Sequence, residues 1–430
     1  MEVLGMIMRD GYLDKIKSAM WDGNIKVITG LRRSGKSTLL FDLFYEFLIS
    51  SGVNEKNIIK IELDKRKYYV YRNPIALCDM VEKTLDGKDG ERFYLFIDEV
   101  QMSKRSILKN EYGLDEVTIY DMLNELKGYR NLDVYVTGSN SKMLSSDIAT
   151  EFRGRSTQIH VYPLSFKELY GFYGGNEREV LSEYMRFGGM PELTTKKSDR
   201  EKMEYLSNLF SETYIKDLKE HGKIRREDIL SNILDYLASS ISSLTNPTNI
   251  ANAIGSSARE KIDRNLVSSY IEKLKDAFLV SEAKRYDIKG KSYFNYPNKY
   301  YYSDIGLRNA RLNYRQYDPG HIMENIIYNE LIGRGYKVDV GVVYDRRNDN
   351  KIQKEIDFVV NDMDRRIYIQ SAYEMSKDEK VDAELGSFVL TGDFYKKIVI
   401  RDDIPHHYYD DKGFLHCNLL DFLMDRVELF

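Results

Sequence analysis

The chain has 430 residues, of which 42% are hydrophobic and 31% are charged. At about 100–200 residues per domain, this length predicts about two to four folded domains and excludes a small disulfide-stapled scaffold. The 64 basic and 68 acidic side chains give a net charge of −4, which excludes the strongly basic balance of a protein that coats nucleic acid.

The residues before position 165 predict a doubly wound parallel sheet, because short apolar runs alternate with amphipathic helical stretches. The strands are predicted at 26–29, 58–63, 93–97 and 134–137. The helices are predicted at 13–20, 38–47, 75–84 and 119–126. The fold class is therefore α/β, and 1–165 is expected to form the first domain.

The rest of the chain changes character twice. Helical periodicity over 166–225, broken by a Gly-Gly-Met-Pro turn at 188–191, predicts a helical lid. Over 226–303, three helices followed by a strand pair around 289–290 predict a winged helix-turn-helix. The residues 304–430 return to mixed α and β, with a helix at 323–334 and strands at 355–360, 366–372 and 397–400.

The strongest motif is G-L-R-R-S-G-K-S at 30–37, which matches G-x-x-x-x-G-K-[ST] between a predicted strand and a predicted helix. Its glycines let backbone N–H groups wrap a phosphate, and the helix N-terminus adds a positive dipole. Lys36 is expected to neutralise the β- and γ-phosphates, and Ser37 to ligate Mg²⁺. The expected cofactors are therefore ATP and Mg²⁺, with nucleotide contacts along Gly30, Leu31, Arg32, Arg33, Ser34, Gly35, Lys36, Ser37 and Thr38. Arg32 and Arg33 leave three alternatives open: contact with the nucleotide, with a neighbouring subunit, or with water alone.

Polar residues follow the next predicted strands. Asp98 and Glu99 end an apolar strand, the form of a Walker B motif, so Asp98 is expected to hold Mg²⁺ through water and Glu99 to polarise the attacking water. Ser139 or Asn140, after the strand at 134–137, is expected to sense the γ-phosphate, or else to cap a helix. Arg155 is the preferred candidate for a transition-state positive charge, in cis or from a neighbouring subunit, with a structural salt bridge as the alternative.

These segments together resemble the prokaryotic AAA-like P-loop ATPases that carry a C-terminal domain of unknown function. The resemblance continues through the Gly-Gly-Met-Pro-Glu stretch at 188–192, the Glu-Ile-Asp-Phe stretch at 355–358 and the end of the chain. It therefore covers nearly the whole sequence. It implies an AAA-type ATPase core, a winged-helix segment and a C-terminal domain similar to restriction-endonuclease-like folds, but no named substrate.

The C-terminal half carries two further expectations. The residues 246–300 hold ten basic and six acidic side chains, a local charge of +4 that suits contact of a winged helix with duplex DNA. The alternative is that the winged helix packs against another protein domain. Glu324, Asp357 and Gln370 follow an order similar to PD-(D/E)xK nucleases, but Gln370 and Ala372 stand where the second carboxylate and the lysine are expected. We therefore expect this domain to be a degenerate nuclease fold used for binding.

The expected function is Mg²⁺-dependent ATP hydrolysis coupled to DNA or a protein partner, with self-assembly suggested only by the AAA resemblance. The alternatives are a nucleotide-gated adaptor with little hydrolysis and a metal-dependent nuclease. Two distant cysteines, Cys78 and Cys417, predict neither a disulfide framework nor a zinc site. No stretch approaches the ~18 apolar residues that span a bilayer, so we expect a cytoplasmic protein without a membrane partner.

Overall fold

The computed structural model describes residues 7–110, 113–138, 155–215, 218–219, 224–347, 350–375 and 385–430. The chain divides into two compact units. The first comprises Met1–Tyr162 with Asp276–Phe278, and the second comprises Pro163–Lys275 with Leu279–Phe430.

The first unit is built on a parallel sheet. Its described strands are β1 (Ile25–Thr29), β2 (Ile58–Glu62), β3 (Phe93–Asp98), β4 (Ser106–Asn110), β5 (Gly113–Val117), β6 (Leu132–Thr137) and β7 (Ser156–His160). In this described part, five of them pair in parallel in the order β2–β3–β6–β1–β7, and β4 and β5 form a separate antiparallel pair. The predicted parallel-sheet α/β core is therefore confirmed.

Helices cover both faces of this sheet, because successive residues of a strand point to opposite sides. Val27 and Leu95 pack in one core with the helices Pro74–Leu85 and Ile119–Leu126. Ile28 and Phe96 pack in the other core with the helix Asp10–Ala19 and the helix that follows β1. Both faces are buried, which explains why these strands read as continuous apolar runs rather than as alternating ones.

The helix after β1 differs in detail from the uniform α-helix predicted at 38–47. It is α-helical over Lys36–Thr38, π-helical over Leu39–Phe44 and α-helical again over Tyr45–Ser50. Short 3₁₀ turns occur elsewhere at Glu55–Asn57, Arg66–Arg72, Val100–Met102 and Pro191–Thr195.

The second unit begins with helices. They are Phe166–Tyr173, Glu177–Phe187, Asp199–Asn208, the π-helix Leu209–Ile215, Glu227–Ser239, Pro247–Ala258 and Arg264–Asp276, followed after a strand region by Ile305–Arg311, Pro319–Gly333 and Leu419–Leu423. The Gly-Gly turn packs tightly against the N-terminus of Ile305–Arg311, because the Asp304 carboxylate accepts a 2.7 Å hydrogen bond from the Gly189 backbone N–H. A Cβ at Gly188 would lie 2.4 Å from a carboxylate oxygen of Asp304, so only glycine fits there.

The strands of the second unit form two sheets. They are β8 (Val280–Ala283), β9 (Arg285–Asp287), β10 (Ser292–Tyr293), β11 (Lys299–Tyr302), β12 (Lys337–Arg347), β13 (Asn350–Asp362), β14 (Arg365–Ala372), β15 (Lys396–Arg401), β16 (Tyr408–Tyr409) and β17 (Leu415–Asn418). Among the described residues, β8 pairs with β11, and eight strands pair in the order β10–β9–β12–β13–β14–β15–β17–β16. The strand pair expected around 289–290 exists as β9 and β10, but β9 pairs in parallel with β12, across the predicted boundary at 303.

Candidate phosphate-binding site

The loop between β1 and the following helix has the backbone geometry of a phosphate cradle. It begins at Gly30 with φ +140° and ends at Gly35 with φ +93°, the residue just before Lys36–Thr38. Arg33 also has a positive φ of +63°. Positive-φ residues of this kind occur in loops that wrap an anion at the positive end of a helix dipole. The backbone of the loop is therefore compatible with an anion at the start of the helix.

Close contact with the end of β7 makes Gly30 the only residue type that fits its position. A Cβ built there would lie 2.1 Å from the Val161 carbonyl oxygen, and Val161 N–H donates a 2.8 Å hydrogen bond to the Thr29 carbonyl. The start of the loop is thus held against the backbone that follows β7.

Two polar side chains of the loop are buried. Lys36 is 5% exposed, and its Nζ donates to the carbonyl oxygens of Gly30 at 3.1 Å and Leu31 at 2.9 Å. Ser34 is fully buried, and its Oγ has no hydrogen-bond partner among the residues that the structure describes. Since a buried hydroxyl normally has a partner, this orphaned group fits a ligand that supplies one.

The acidic pair meets the loop at the carboxyl edge of the sheet. The Ser37 hydroxyl donates to Asp98 Oδ1 at 3.0 Å, and the Thr137 hydroxyl at the end of β6 donates to the same oxygen. The Glu99 N–H donates to Thr137 Oγ1 at 3.2 Å, and Glu99 adopts φ +52°. The Gln101 amide donates to the Glu99 carboxylate. Ser37, Asp98 and Glu99 are therefore brought together, as the sequence predicts.

Burial perturbs the titration of this cluster. It lowers the pKa of the Lys36 ammonium to about 8, against the attraction of Glu99 and Asp98. It raises the pKa of Asp98, although hydrogen bonds from Thr137 and Ser37 oppose the shift. Burial also raises the pKa of Glu99, with the neighbouring Asp98 charge adding to the effect. Perturbed groups of opposite charge in one cluster are typical of functional sites.

Two contributors were missed by the sequence reasoning. Arg9 is 4% exposed, and its guanidinium donates to the carbonyl oxygens of Ser34 at 2.9 Å and Tyr162 at 3.0 Å. It therefore holds the outer turn of the loop. Thr137 carries no motif of its own, and only the pairing of β6 beside β3 brings its hydroxyl to Asp98.

The other predicted nucleotide contacts differ in exposure. Leu31 is buried in the protein, whereas Arg32, Arg33 and Thr38 are exposed at the surface of the loop. Ser139 and Asn140 lie outside the described residues.

Arg155 lies at the amino-terminal ends of the parallel strands, whereas the phosphate-binding loop lies at their carboxyl ends. Its carbonyl accepts a 3.2 Å hydrogen bond from Ile25 N–H, at the start of β1, whereas the loop follows the end of β1. A five-residue strand rises roughly 15 Å, which exceeds the reach of an arginine side chain. The structure therefore does not bring Arg155 to Lys36 within one chain, and the alternatives of a contribution to a neighbouring subunit and of a structural salt bridge stay predictions.

The acidic residues singled out in the C-terminal half do lie close together. Glu324 and Asp357 are buried and both contact the Lys299 ammonium, and the Asp357 N–H donates to Gln370 Oε1 at 3.3 Å. Within the described ranges, no group of three or more His, Cys, Asp or Glu side chains is arranged to hold a metal ion. This centre does not fit the Mg²⁺ of a nuclease.

The phosphate-binding loop, in contrast, fits ATP and Mg²⁺. The glycine cradle, the orphaned Ser34 hydroxyl and the buried Lys36 ammonium suit phosphate oxygens. The Ser37 hydroxyl and the Asp98 carboxylate are the hard oxygen donors that Mg²⁺ prefers.

Every helix in the described part of the chain is too short or too polar to traverse a bilayer.

Comparisons with known proteins agree with this architecture. Residues 22–170 match the AAA domain family, and residues 178–318 and 319–413 match two domains of unknown function, DUF8612 and DUF4143. An uncharacterised protein of Haemophilus influenzae is 31% identical over 400 residues, 92% of this chain and 93% of its own length. An uncharacterised protein of Methanocaldococcus jannaschii is 28% identical over 375 residues, 83% of this chain and 76% of its own length.

Among solved structures, a Walker-type ATPase of Pyrococcus abyssi is similar, at 16% identity and a TM-score of 0.49, over 71% of this chain and 96% of that one. The family match to residues 22–170 includes the loop at 30–37 and the pair Asp98 and Glu99. The chain therefore belongs to the prokaryotic AAA-like P-loop ATPase family, with domains of unknown function in its C-terminal half.

Proposed function

We propose that this protein binds ATP with Mg²⁺ and hydrolyses it, and that the cycle is coupled to DNA or a protein partner through the C-terminal half. The observation that carries the proposal is the meeting of four side chains at one edge of the first unit's sheet. A buried ammonium, Lys36, stands with a hydroxyl and two carboxylates, Ser37, Asp98 and Glu99.

Each of these side chains has a distinct role in the proposal. Lys36 would balance the charge of the β- and γ-phosphates, and Ser37 and Asp98 would hold the metal. Bound Mg²⁺ supplies positive charge to the phosphate oxygens. Glu99 would accept a proton from the attacking water, and its raised pKa makes it a stronger base at neutral pH. A switch that only bound nucleotide would not need Glu99.

Two further roles stay part of the proposal. Ser139 would contact the γ-phosphate, and Arg155 would supply positive charge to a neighbouring subunit's site. Both depend on the ATPase reaction and are tested only after turnover has been measured.

The test of hydrolysis compares matched variants of the full chain. Lys36→Ala should abolish nucleotide binding and turnover, while the exposed Lys56→Ala should change neither. Glu99→Gln should keep nucleotide binding and lower turnover by about 100-fold or more, because it removes the base and keeps the shape. Glu91→Gln makes the same chemical change at an exposed position just before β3, and should leave turnover intact. Normal hydrolysis by Glu99→Gln would refute the assigned base. Nucleotide binding without turnover in the unaltered chain would instead favour the adaptor function.

The helices of residues 226–303 support contact with duplex DNA. Pro247–Ala258 and Arg264–Asp276 follow one another with a five-residue connection, and β8 pairs with β11 after them. Arg264 and Asn265 are exposed at the start of the second helix, and Lys289 and Lys291 are exposed in the turn between β9 and β10. Phosphates are the groups that such exposed cations contact.

Three of the ten basic side chains are unsuited to this role. Lys299 and Arg285 are buried, and Lys275 donates to Glu282 at 2.7 Å and Glu272 at 2.9 Å. A fourth, Lys273, is only half-exposed and lies over the Tyr270 ring. The proposed DNA surface therefore rests on the six exposed side chains, which are Arg259, Lys261, Arg264, Lys284, Lys289 and Lys291.

A salt titration tests this surface. The double variant Lys289→Gln/Lys291→Gln should lower duplex affinity. The negative slope of log affinity against log salt should become less steep, by about 2. Lys56→Gln/Lys83→Gln removes the same charge from the first unit and should leave the slope unchanged. Equal slopes for the two double variants would favour a protein partner over DNA.

We also propose a domain division: an ATPase core at 1–165, a helical lid at 166–225, a winged helix-turn-helix at 226–303 and a nuclease-like domain at 304–430. Six strands of the mixed sheet fall in the last of these, while β9 and β10 of the same sheet lie in the third. Limited proteolysis with mass spectrometry of the fragments tests the boundaries.

A further inference from the structure

A buried lysine lies at the centre of the acidic cluster in the second unit. Lys299 on β11 has a side chain only 3% exposed. Its Nζ lies 2.8 Å from Glu324 Oε1, 2.7 Å from Glu355 Oε1 and 3.1 Å from Asp357 Oδ1. One ammonium group is therefore shared among three carboxylates.

The fold brings these groups together from three separate elements. Glu324 lies on the helix Pro319–Gly333, and Glu355 and Asp357 lie two residues apart on β13. The helix is fixed to β11, because Asn325 Oδ1 accepts from Tyr302 N–H and its Nδ2 donates to the Tyr302 carbonyl, both at 2.8 Å. The Asn325 side chain therefore fixes the helix that carries Glu324 beside the strand that carries Lys299.

Two of these carboxylates also accept hydrogen bonds from groups other than Lys299. The Tyr301 hydroxyl donates to Glu324 Oε1 at 2.8 Å, and the Ser371 N–H donates to Asp357 Oδ2 at 2.9 Å. Burial raises the pKa of Glu324 to about 8, with the Asp357 charge adding to the shift and the Lys299 ammonium opposing it. Such a set of buried acids needs a cation beside it, because an unpaired buried charge is strongly unfavourable.

A divalent metal and an ammonium group use the same oxygens in different ways. Mg²⁺ takes carboxylate oxygens at about 2.0–2.1 Å, whereas an ammonium group donates hydrogen bonds at about 2.7–2.9 Å or slightly longer. The distances from Lys299 Nζ to the three carboxylate oxygens fall in the range of hydrogen bonds from an ammonium group. The ammonium fills the position in which a metal would contact Glu324 and Asp357 at once.

We propose that Lys299 is the resident cation of this centre in place of a divalent metal, and that removal of its side chain, which vacates both the charge and the space, converts the centre into a divalent-cation site. This inference is independent of the ATPase function, because it concerns residues of the second unit alone.

Manganese binding to the nucleotide-free full chain tests it, with MnCl₂ as the probe and electron paramagnetic resonance as the readout. The unaltered chain should bind no Mn²⁺ that depends on Asp357. Lys299→Ala should gain one Mn²⁺ site that the unaltered chain lacks, with an affinity at least tenfold above the weakest binding that the assay detects. The added Asp357→Asn substitution should abolish that site, while Lys299→Met, which removes the charge but fills the space, should gain none.

Two results would overturn the proposal. One is Mn²⁺ binding by the unaltered chain that Asp357→Asn abolishes, and the other is a folded Lys299→Ala that gains no site. If Lys299→Ala does not fold, thermal midpoints of the charge-removing variants decide. Lys299→Met should melt below the unaltered chain, and Lys299→Met/Asp357→Asn should recover part of the loss. A double variant that melts below Lys299→Met would show that Lys299 is not the counter-ion.

Discussion

Replacing Gly30 by alanine is the most direct perturbation of the phosphate cradle. The added Cβ would meet the Val161 carbonyl oxygen at 2.1 Å. Ordinary contact begins at 3.4 Å, so in a close-packed interior the backbone must move by about 1.3 Å. The movement pulls on the 2.8 Å hydrogen bond from Val161 N–H to the Thr29 carbonyl, which joins the loop to the end of β7.

The expected cost has two parts. A non-glycine residue at φ +140° costs about 1–3 kcal/mol in backbone strain, and loss of the neighbouring hydrogen bond costs about 1 kcal/mol. A loss of about 3 kcal/mol lowers the melting midpoint of a unit of this size by roughly 6–12 °C. Because the donors of the loop move with Gly30, nucleotide affinity should fall more than about tenfold, equivalent to 1.4 kcal/mol.

Gly52→Ala is the matched control, because Gly52 also has a positive φ, +88°, but has open space where the Cβ would stand. This control substitution should lower the free energy of unfolding only by the cost of a left-handed backbone at alanine, about 1–2 kcal/mol, and should leave nucleotide affinity unchanged. Differential scanning calorimetry and titration with a fluorescent ATP analogue measure both quantities. Equal midpoints and equal affinities for the two variants would refute the assignment of a sterically required cradle at Gly30.

Three other predictions concern buried charges. Arg9→Met should lower ATP affinity by about tenfold, because the guanidinium that supports the Ser34 carbonyl is lost, and a nucleotide titration beside Lys56→Met checks it. Burial and the Lys36 charge lower the pKa of His160 to about 4, so its contribution to stability is complete above pH 6.5 and is lost as the pH falls toward 4. The loss is at most about 3 kcal/mol, and His160→Gln should flatten the fall of melting midpoint over that range. Burial raises the pKa of Asp304 to about 6, so the second unit should lose about 3 kcal/mol between pH 4 and pH 6 as the carboxylate ionises, and Asp304→Asn should remove this slope.

The parts of the site that could be predicted from sequence are those whose chemistry is local. The strand, the glycine loop and the helix around Lys36 lie in one short segment, and Asp98 and Glu99 directly follow an apolar run. In a parallel sheet, the ends of neighbouring strands meet at one edge, so two local motifs are enough to predict a shared site. In the structure the Ser37 hydroxyl donates a hydrogen bond to Asp98, so the two predicted segments lie side by side.

The parts that were missed depend on contacts between residues distant in sequence. Arg9 lies 25 residues from Ser34, and Thr137 lies 39 residues from Asp98, so no spacing rule connects either pair. Arg155 was assigned from its residue type alone, and the hydrogen bond from Ile25 N–H to its carbonyl places it a strand length away from the phosphate-binding loop. Counting basic residues along the sequence did not reveal that Lys299 is buried in ion pairs, because its partners come from β13 and from the helix Pro319–Gly333.

The two buried lysines show how partners decide what a buried cation does. Lys36 donates to the neutral carbonyls of Gly30 and Leu31, and burial lowers its pKa, so its charge is incompletely balanced in the protein. An anionic phosphate would complete that balance, which is why a buried lysine favours ligand binding there. Lys299 donates to carboxylates instead, and its pKa is held well above the usual value despite complete burial, which opposes the shift. Its charge is already balanced, so it contributes to the packing of the second unit and leaves no electrostatic demand for a ligand.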